Sequence, residues 1–118
     1  MYAIKTIITP LHYAIKLNKA IDTLNATTPN DQDITNLDAA ILRVLADTKK
    51  GITYNKLRLA VRGNVHLDRF NRSLTRLIEL KYIVMTVYGK YHYHTITLQG
   101  RNIVSQLNDH LIAIVNGQ

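Results

Sequence analysis

Between Lys81 and Gln99 the spacing of apolar residues changes, and that change constrains this chain more than any other feature. On either side, apolar residues return every three or four positions, as on one face of a helix. Tyr82–Tyr88 and Tyr91–Leu98 instead have a period of two and are rich in β-branched and aromatic residues. Only Gly89 and Lys90 separate them, and Gly-X is the two-residue loop of a type II′ hairpin. The turn dictates a register. Tyr88 should face Tyr91, Thr86 should face Tyr93 and Val84 should face Thr95. On the other surface Ile83 should meet Ile96, Met85 should meet His94 and Val87 should meet His92. The Ile/Met/Val surface is expected to lie against the core. The chain is therefore read as mainly α with one β-hairpin.

The helical part divides into five segments. Thr9-Pro10 is a helix start, a hydroxyl cap followed by a residue that needs no N–H partner. Leu11, Ala14, Ile15, Asn18, Ile21 and Leu24 then mark a helix from Pro10 to about Asn25. Residues 2–8 are ambiguous between strand and helix. Asn25 to Thr35 is polar and turn-prone, the one evident linker. A helix follows from Asn36 with Leu37, Ile41, Leu42, Leu45 and Ala46 on one stripe, ending near 47–50 with Gly51 closing it. Thr53 is expected to cap a short helix from Tyr54 to Arg62, with Leu57, Ala60 and Val61 inward. Asp68 is expected to cap a third, running to about Leu80, with Phe70, Leu74, Leu77 and Ile78 inward. After the hairpin, 99–115 is helical again on Ile103, Val104, Leu107, Leu111 and Ile114.

The order helix, short helix, helix, hairpin is that of a winged helix-turn-helix. Ser73-Leu-Thr-Arg-Leu-Ile-Glu-Leu-Lys-Tyr-Ile83 resembles the xxLxxLxxKGLI end of a recognition helix. Ile96-Thr-Leu-Gln-Gly-Arg-Asn-Ile-Val-Ser-Gln-Leu107 is similar to the LTxKGRxxLxxL segment that follows a wing. From Leu37 to Leu107 the chain thus resembles winged-helix regulators of the MarR and PadR types and their small archaeal and viral relatives. Tyr82 departs from the usual glycine, and Tyr-Gly-Lys-Tyr-His-Tyr replaces an Asp-Arg-rich wing. The resemblance implies three parts: an N-terminal helix and linker (1–35), a winged helix-turn-helix DNA-binding domain (36–98) and a C-terminal helix (99–118).

Charge distribution points to the same class of partner. The chain carries a formal charge of +7. From Lys49 to Arg101 there are eleven Lys/Arg against Asp68 and Glu79 alone, while the segments on either side are each −1. A basic charge concentrated in one stretch favours an anionic partner, usually nucleic acid. On the third helix Arg69, Arg72, Ser73 and Arg76 fall within one arc at about 100° per residue. Such a helix fits the major groove, where arginine pairs bidentately with guanine. Lys49, Lys50, Tyr54, Asn55, Lys56 and Arg58 suit phosphate positioning. Lys90, Tyr88 and Tyr91 stand at the hairpin tip, either reaching DNA or, for the tyrosines, only holding the strands together.

Other chemistries find little support. The chain has no cysteine, which removes disulfides, thiolate zinc sites and Cys nucleophiles. His92 and His94 share a strand face, but zinc needs three or four convergent ligands, so no metal site is expected. Glu79 is the only glutamate, and no carboxylate pair, Gly-rich phosphate loop or nucleophile elbow is present, so neither catalysis nor a cofactor is expected. No apolar run approaches the roughly 18–20 residues of a membrane span, and no signal peptide is read. A cytoplasmic, nucleoid-associated location is expected, or the host-cell cytoplasm for a viral protein.

The terminal helices carry apolar stripes that must be covered. A homodimer interface built from Leu11, Ile15, Ile21, Leu24, Ile103, Leu107, Leu111 and Ile114 is the expectation, since two-fold dimers match palindromic operators. The alternative is that both helices fold back on their own domain. The expected function is binding of double-stranded DNA by a transcriptional regulator, a repressor, with any small-molecule effector unspecified. A protein–protein contact module and an RNA or replication-origin binder are the alternatives.

Overall fold

The computed structural model describes residues 10–26, 33–61 and 66–116. The elements in chain order are α1 (Pro10–Ala26), α2 (Asn36–Ala46), β1 (Ile52–Thr53), α3 (Tyr54–Val61), α4 (Leu67–Glu79), β2 (Ile83–Tyr88), β3 (Tyr91–Ile96) and α5 (Leu98–Asn116). This is a winged helix-turn-helix with a flanking helix at each end. Residues 2–8 and Arg62 lie outside the described residues, as does the side chain of Leu11.

Helix α2 starts where a capping box is encoded. The Thr35 hydroxyl accepts from the Asp38 backbone N–H at 3.1 Å, and the Thr35 N–H donates back to Asp38 Oδ2 at 3.0 Å. Just upstream, Asn25 at the end of α1 bonds both ways with Ile34: its amide donates to the carbonyl at 2.9 Å and its oxygen accepts from the N–H at 2.6 Å. Asp47 caps the far end of α2. Gly51, expected to close that helix, instead precedes β1 at φ 81°.

Helix α4 ends in a Schellman turn. The Lys81 N–H bonds the Ile78 carbonyl and the Tyr82 N–H bonds the Leu77 carbonyl, each at 3.0 Å. The residue this turn requires in the left-handed region is Lys81, at φ 70°. Tyr82 is buried just beyond it. That is why Tyr82 fits where the resemblance leads one to expect glycine.

The hairpin has the register read from the sequence, from Ile83–Ile96 to Tyr88–Tyr91. Gly89 takes φ 60° and Lys90 does not, as a type II′ turn demands. β1 adds a third, antiparallel strand on β3, pairing Ile52 with His94 and Thr53 with Tyr93. Thr53, which directly precedes α3 where a cap is expected, is also the last residue of this strand. One correction follows: the sheet order β1-β3-β2 leaves β2 at an edge, with only Ile83 of that strand buried. The wing projects, so Met85 and Val87 are exposed and only Ile83, Ile96 and His94 reach the core.

The core is continuous. Leu24 of α1, Ile41, Leu42 and Leu45 of α2, Leu57 of α3, Leu77 of α4, Ile83 of β2 and Leu107 of α5 are essentially inaccessible. Each such side chain contributes about 1.5–3 kcal/mol relative to exposure. Helices α1 and α5 pack on each other within the chain. The expected intersubunit role of Ile21, Leu24, Ile103, Leu107 and Leu111 is therefore corrected: all five are buried in their own chain. Ile114 is half-buried and packs on the same core, while Ile15 stays 51% exposed. Among the described residues, no helix is long and apolar enough to cross a membrane.

Helix α5 begins at a tight junction. The Thr97 hydroxyl accepts from the Gly100 N–H at 3.1 Å and donates to the Lys81 carbonyl at 2.6 Å. The Thr97 N–H bonds the Tyr82 carbonyl at 3.0 Å. A Cβ at position 100 would run into that same carbonyl. The glycine of the LTxKGR-like segment is thus needed for close approach, not for an unusual backbone angle.

Candidate nucleic-acid interface

Helix α4 buries Phe70, Leu74 and Leu77 along one stripe, with Ile78 half-buried beside them. At about 100° per residue, Arg72 lies almost opposite the centre of that stripe. Asp68, Thr75 and Glu79 lie beside Arg72, and all four are exposed. Asn71 is also exposed. Arg69 is exposed on the flank nearest α2. The helix begins two residues earlier than expected: His66, not Asp68, is its N-cap and makes no side-chain cap bond, and Asp68 sits inside the first turn. A carboxylate there still meets the positive end of the helix.

Ser73 and Arg76 occupy the flank that meets α2, and both are committed to Asp38. The Arg76 guanidinium lies 2.8 Å from Asp38 Oδ2 and also donates to the Asp33 carbonyl. The Ser73 hydroxyl donates to Asp38 Oδ1. Asp38 is 1% exposed, so its carboxylate has left water and needs these donors. The expectation that Arg69, Arg72, Ser73 and Arg76 form one outward face is therefore corrected for Ser73 and Arg76. Arg69 and Arg72 remain, over a cleft of 370 Å³ between α2 and α4 that Asp33, Thr35 and Leu37 also line.

Sequence reasoning missed Asn71 and Thr75. Thr75 was legible as outward-facing on a helical projection and Asn71 as lying on the flank beside Ile78, but attention to charge passes over neutral hydrogen-bonding side chains. Asn71 is also a junction, because its Oδ1 accepts from the Tyr54 hydroxyl at 2.5 Å. The Tyr54 ring packs edge-on against Phe70 at 5.6 Å and tilts toward His94 at 6.5 Å. Tyr54 is thus half-buried at the meeting point of α3, α4 and the wing.

The other residues expected to hold phosphates lie at the surface. Lys49 and Lys50 precede β1, and Asn55, Lys56 and Arg58 stand on α3; all five are exposed. In α3 only Leu57 is fully buried, and Ala60, expected inward, is exposed. Lys90 at the wing tip lies over the Tyr91 ring, 5.6 Å from its centroid. Thr53, Tyr54, Asn55, Lys90, Tyr91 and His92 line a cleft of 230 Å³ between α3 and the wing. His94 is 2% exposed, and burial first, then the neighbouring His92, depress its pKa against a hydrogen bond with the Ile52 backbone. Burial raises the Tyr82 hydroxyl, which nearby Arg76 partly offsets.

The arrangement defines a basic winged helix-turn-helix: a framework in which one helix offers guanidinium groups outward and a hairpin stands beside it. Solved structures that share the fold include MarR-type transcription regulators. MepR of Staphylococcus aureus, a regulator of a multidrug efflux pump, superposes with a TM-score of 0.73 at 19% identity, over 98% of this chain and 82% of that one. RV1404 of Mycobacterium tuberculosis gives 0.70 at 16% identity, covering 90% and 70%. The PcaV transcriptional regulator of Streptomyces coelicolor gives 0.63 at 18% identity, covering 98% and 82%. No family model matches the sequence, and comparison with curated proteins finds no match.

Proposed function

We propose that this chain is a transcriptional regulator that binds double-stranded DNA in a sequence-dependent way, acts as a homodimer and represses. The observation that carries the reading is the outward face of α4, where Arg72 lies opposite the buried stripe with Arg69, Asn71 and Thr75 near it. Arg69 and Arg72 read guanine edges in the major groove, and Asn71 and Thr75 offer neutral contacts. Lys49, Lys50, Asn55, Lys56 and Arg58 hold phosphates, and Lys90 holds them beside the wing. Tyr54 positions α3 on α4. A point mutant of MepR, which shares the fold, has been solved bound to an oligodeoxyribonucleotide, and this supports the reading.

The dimer is proposed on Ile15, one of the residues first expected, and on Ile112, which was not among them. Ile15 on α1 and Ile112 on α5 are 51% and 55% exposed on the two helices that pack together, and a second copy would cover them. Two recognition helices related by a two-fold axis then address two half-sites about one helical turn apart.

The test is selection of bound sequences from random duplex DNA, followed by titration of the selected site. Wild type should prefer that site, and binding should fall steeply with salt as counterions are released. Arg72→Ala should cost about 1–3 kcal/mol on the selected site and far less on random DNA. Equal losses on both would remove the base-reading role, and a monomer by sedimentation on the site would remove the dimer.

A further inference from the structure

The wing carries chemistry that reading of an intact duplex does not use. Thr86, Tyr88, Tyr91, Tyr93 and Thr95 share the face of the hairpin opposite Ile83 and Ile96. Tyr88 and Tyr93 meet edge-to-face at 5.8 Å and 77°, and Tyr91 meets Tyr93 at 6.5 Å and 61°. Such pairs help hold the two strands together, yet they leave ring surface free. Tyr88 is 66% and Tyr91 53% exposed, so both are open to a partner. Lys50 reaches the same face, where it lines a cleft of 360 Å³ with Thr86, Tyr88, Tyr93 and Thr95. That volume is at the lower end of the roughly 300–1,000 Å³ of small-ligand sites. Lys90 stands at the tip, and no Asp or Glu occurs between Ile83 and Ile96.

We propose that this face of the wing binds unpaired nucleotides of DNA, with bases stacked on Tyr88 and Tyr91 and phosphates held by Lys50 and Lys90. This rests on the DNA-binding reading above. The argument is about which surface each partner offers. In a duplex the faces of the bases are covered by their neighbours and only edges reach the grooves, so exposed tyrosine rings have no aromatic partner there. An unpaired base presents its face. Aromatic rings beside cations are the usual means of holding such a strand, tolerant of sequence because every base has a π-face. The hydroxyls of Thr86 and Thr95 serve any base edge equally. A duplex opened beside the site read by α4 would then be held in two ways by one molecule.

The experiment uses the full chain and two labelled probes, oligothymidine and the selected duplex, followed by anisotropy. The chain has seven Tyr and no Trp, so its intrinsic emission reports on tyrosine alone. Oligothymidine should bind and quench that emission. Tyr88→Leu and Tyr91→Leu should each weaken oligothymidine binding about ten-fold, the size of one lost stack, and weaken duplex binding far less. Tyr88→Phe should keep oligothymidine affinity. Arg72→Ala should do the reverse of the leucine variants, losing the duplex and keeping oligothymidine. Wild type that binds duplex but not oligothymidine overturns the wing proposal alone, as does Tyr88→Phe behaving like Tyr88→Leu. Failure to bind either probe overturns this proposal and the regulator reading together. The exposure of both rings means that the substitutions leave the fold intact, which melting temperatures check.

Discussion

Asp38 and Arg76 join α2 to the recognition helix through a bond of 2.8 Å from Nη1 to Oδ2. Asp38 is the third residue of α2, so the same carboxylate that completes the helix cap also receives Arg76 and Ser73 of α4. One buried anion thus sets the start of one helix and the orientation of another.

Removing that anion should be costly. Asp38→Ala deletes half of the capping box and leaves Ser73 and Arg76 without their acceptor. Arg76 keeps 33% of its side chain in solvent, so its share is discounted. The expected loss is about 2–3 kcal/mol in chemical denaturation. Ser73→Ala should lose about 1 kcal/mol and leave the affinity of the folded protein for its selected site unchanged. A specific loss of site affinity in Ser73→Ala would restore this hydroxyl to the DNA surface.

Much of this fold was legible in the sequence, and the reason differs by element. The hairpin register followed from a period of two and a two-residue turn, which together leave a single alignment. The approximate extents of α2 and α4 followed from apolar spacing, but their caps did not: α2 ends on Asp47 rather than at Gly51, and α4 starts from His66 rather than Asp68. β1 was missed because two residues have no periodicity. The fate of Ser73 and Arg76 was hidden for another reason. A helical projection places them on a flank, but which flank meets α2 is decided by tertiary packing, and Asp38 lies 35 residues before Ser73. The stripes on α1 and α5 had the same ambiguity: amphipathicity says that a face is covered, not by what. Intrachain packing covers Ile21 and Leu24 of α1 and Ile103, Val104, Leu107 and Leu111 of α5.

The α4–β2 turn offers a gain in stability. Lys81 is exposed and holds φ 70°, a region where a side chain crowds its own backbone. Lys81→Gly should relieve that strain and stabilise the chain by about 0.5–1 kcal/mol, because the native angle outweighs the added freedom of the unfolded chain. A denaturation midpoint that falls in Lys81→Gly would show that the lysine has a compensating contact.

The neighbouring junction should respond in the opposite sense. At Gly100 even one methyl group meets the Tyr82 carbonyl, a backbone atom that cannot turn aside. Gly100→Ala should therefore destabilise by about 1–3 kcal/mol, although alanine is the better helix former. Thr97→Val removes both the cap to Gly100 and the bond to the Lys81 carbonyl, and should cost about 1–2 kcal/mol. The two changes act on one contact between α5 and the wing base, so their combined cost should fall short of the sum.

His94 supplies a pH dependence whose sign can be derived. Burial holds its imidazole neutral and its pKa below the ordinary 6.5. The unfolded chain therefore binds a proton at a higher pH than the folded one. Stability rises with pH wherever the unfolded state holds more protons. The contribution is intact above 6.5 and is lost as the pH falls from there through the depressed value. His94 faces the Tyr54 ring, pairs with Met85 on β2 and with Ile52 on β1, and has His92 as its charged neighbour, so none of these neighbours is a carboxylate that could receive the proton. Melting temperature should drop between pH 7 and pH 5, and the slope should flatten in His94→Gln, whose amide cannot titrate. Because His94 lies where the wing joins α3, the same acidification should loosen the wing first, seen as faster backbone hydrogen exchange in β1 and β3 than in α2. A slope unaltered by the glutamine would remove His94 as its source.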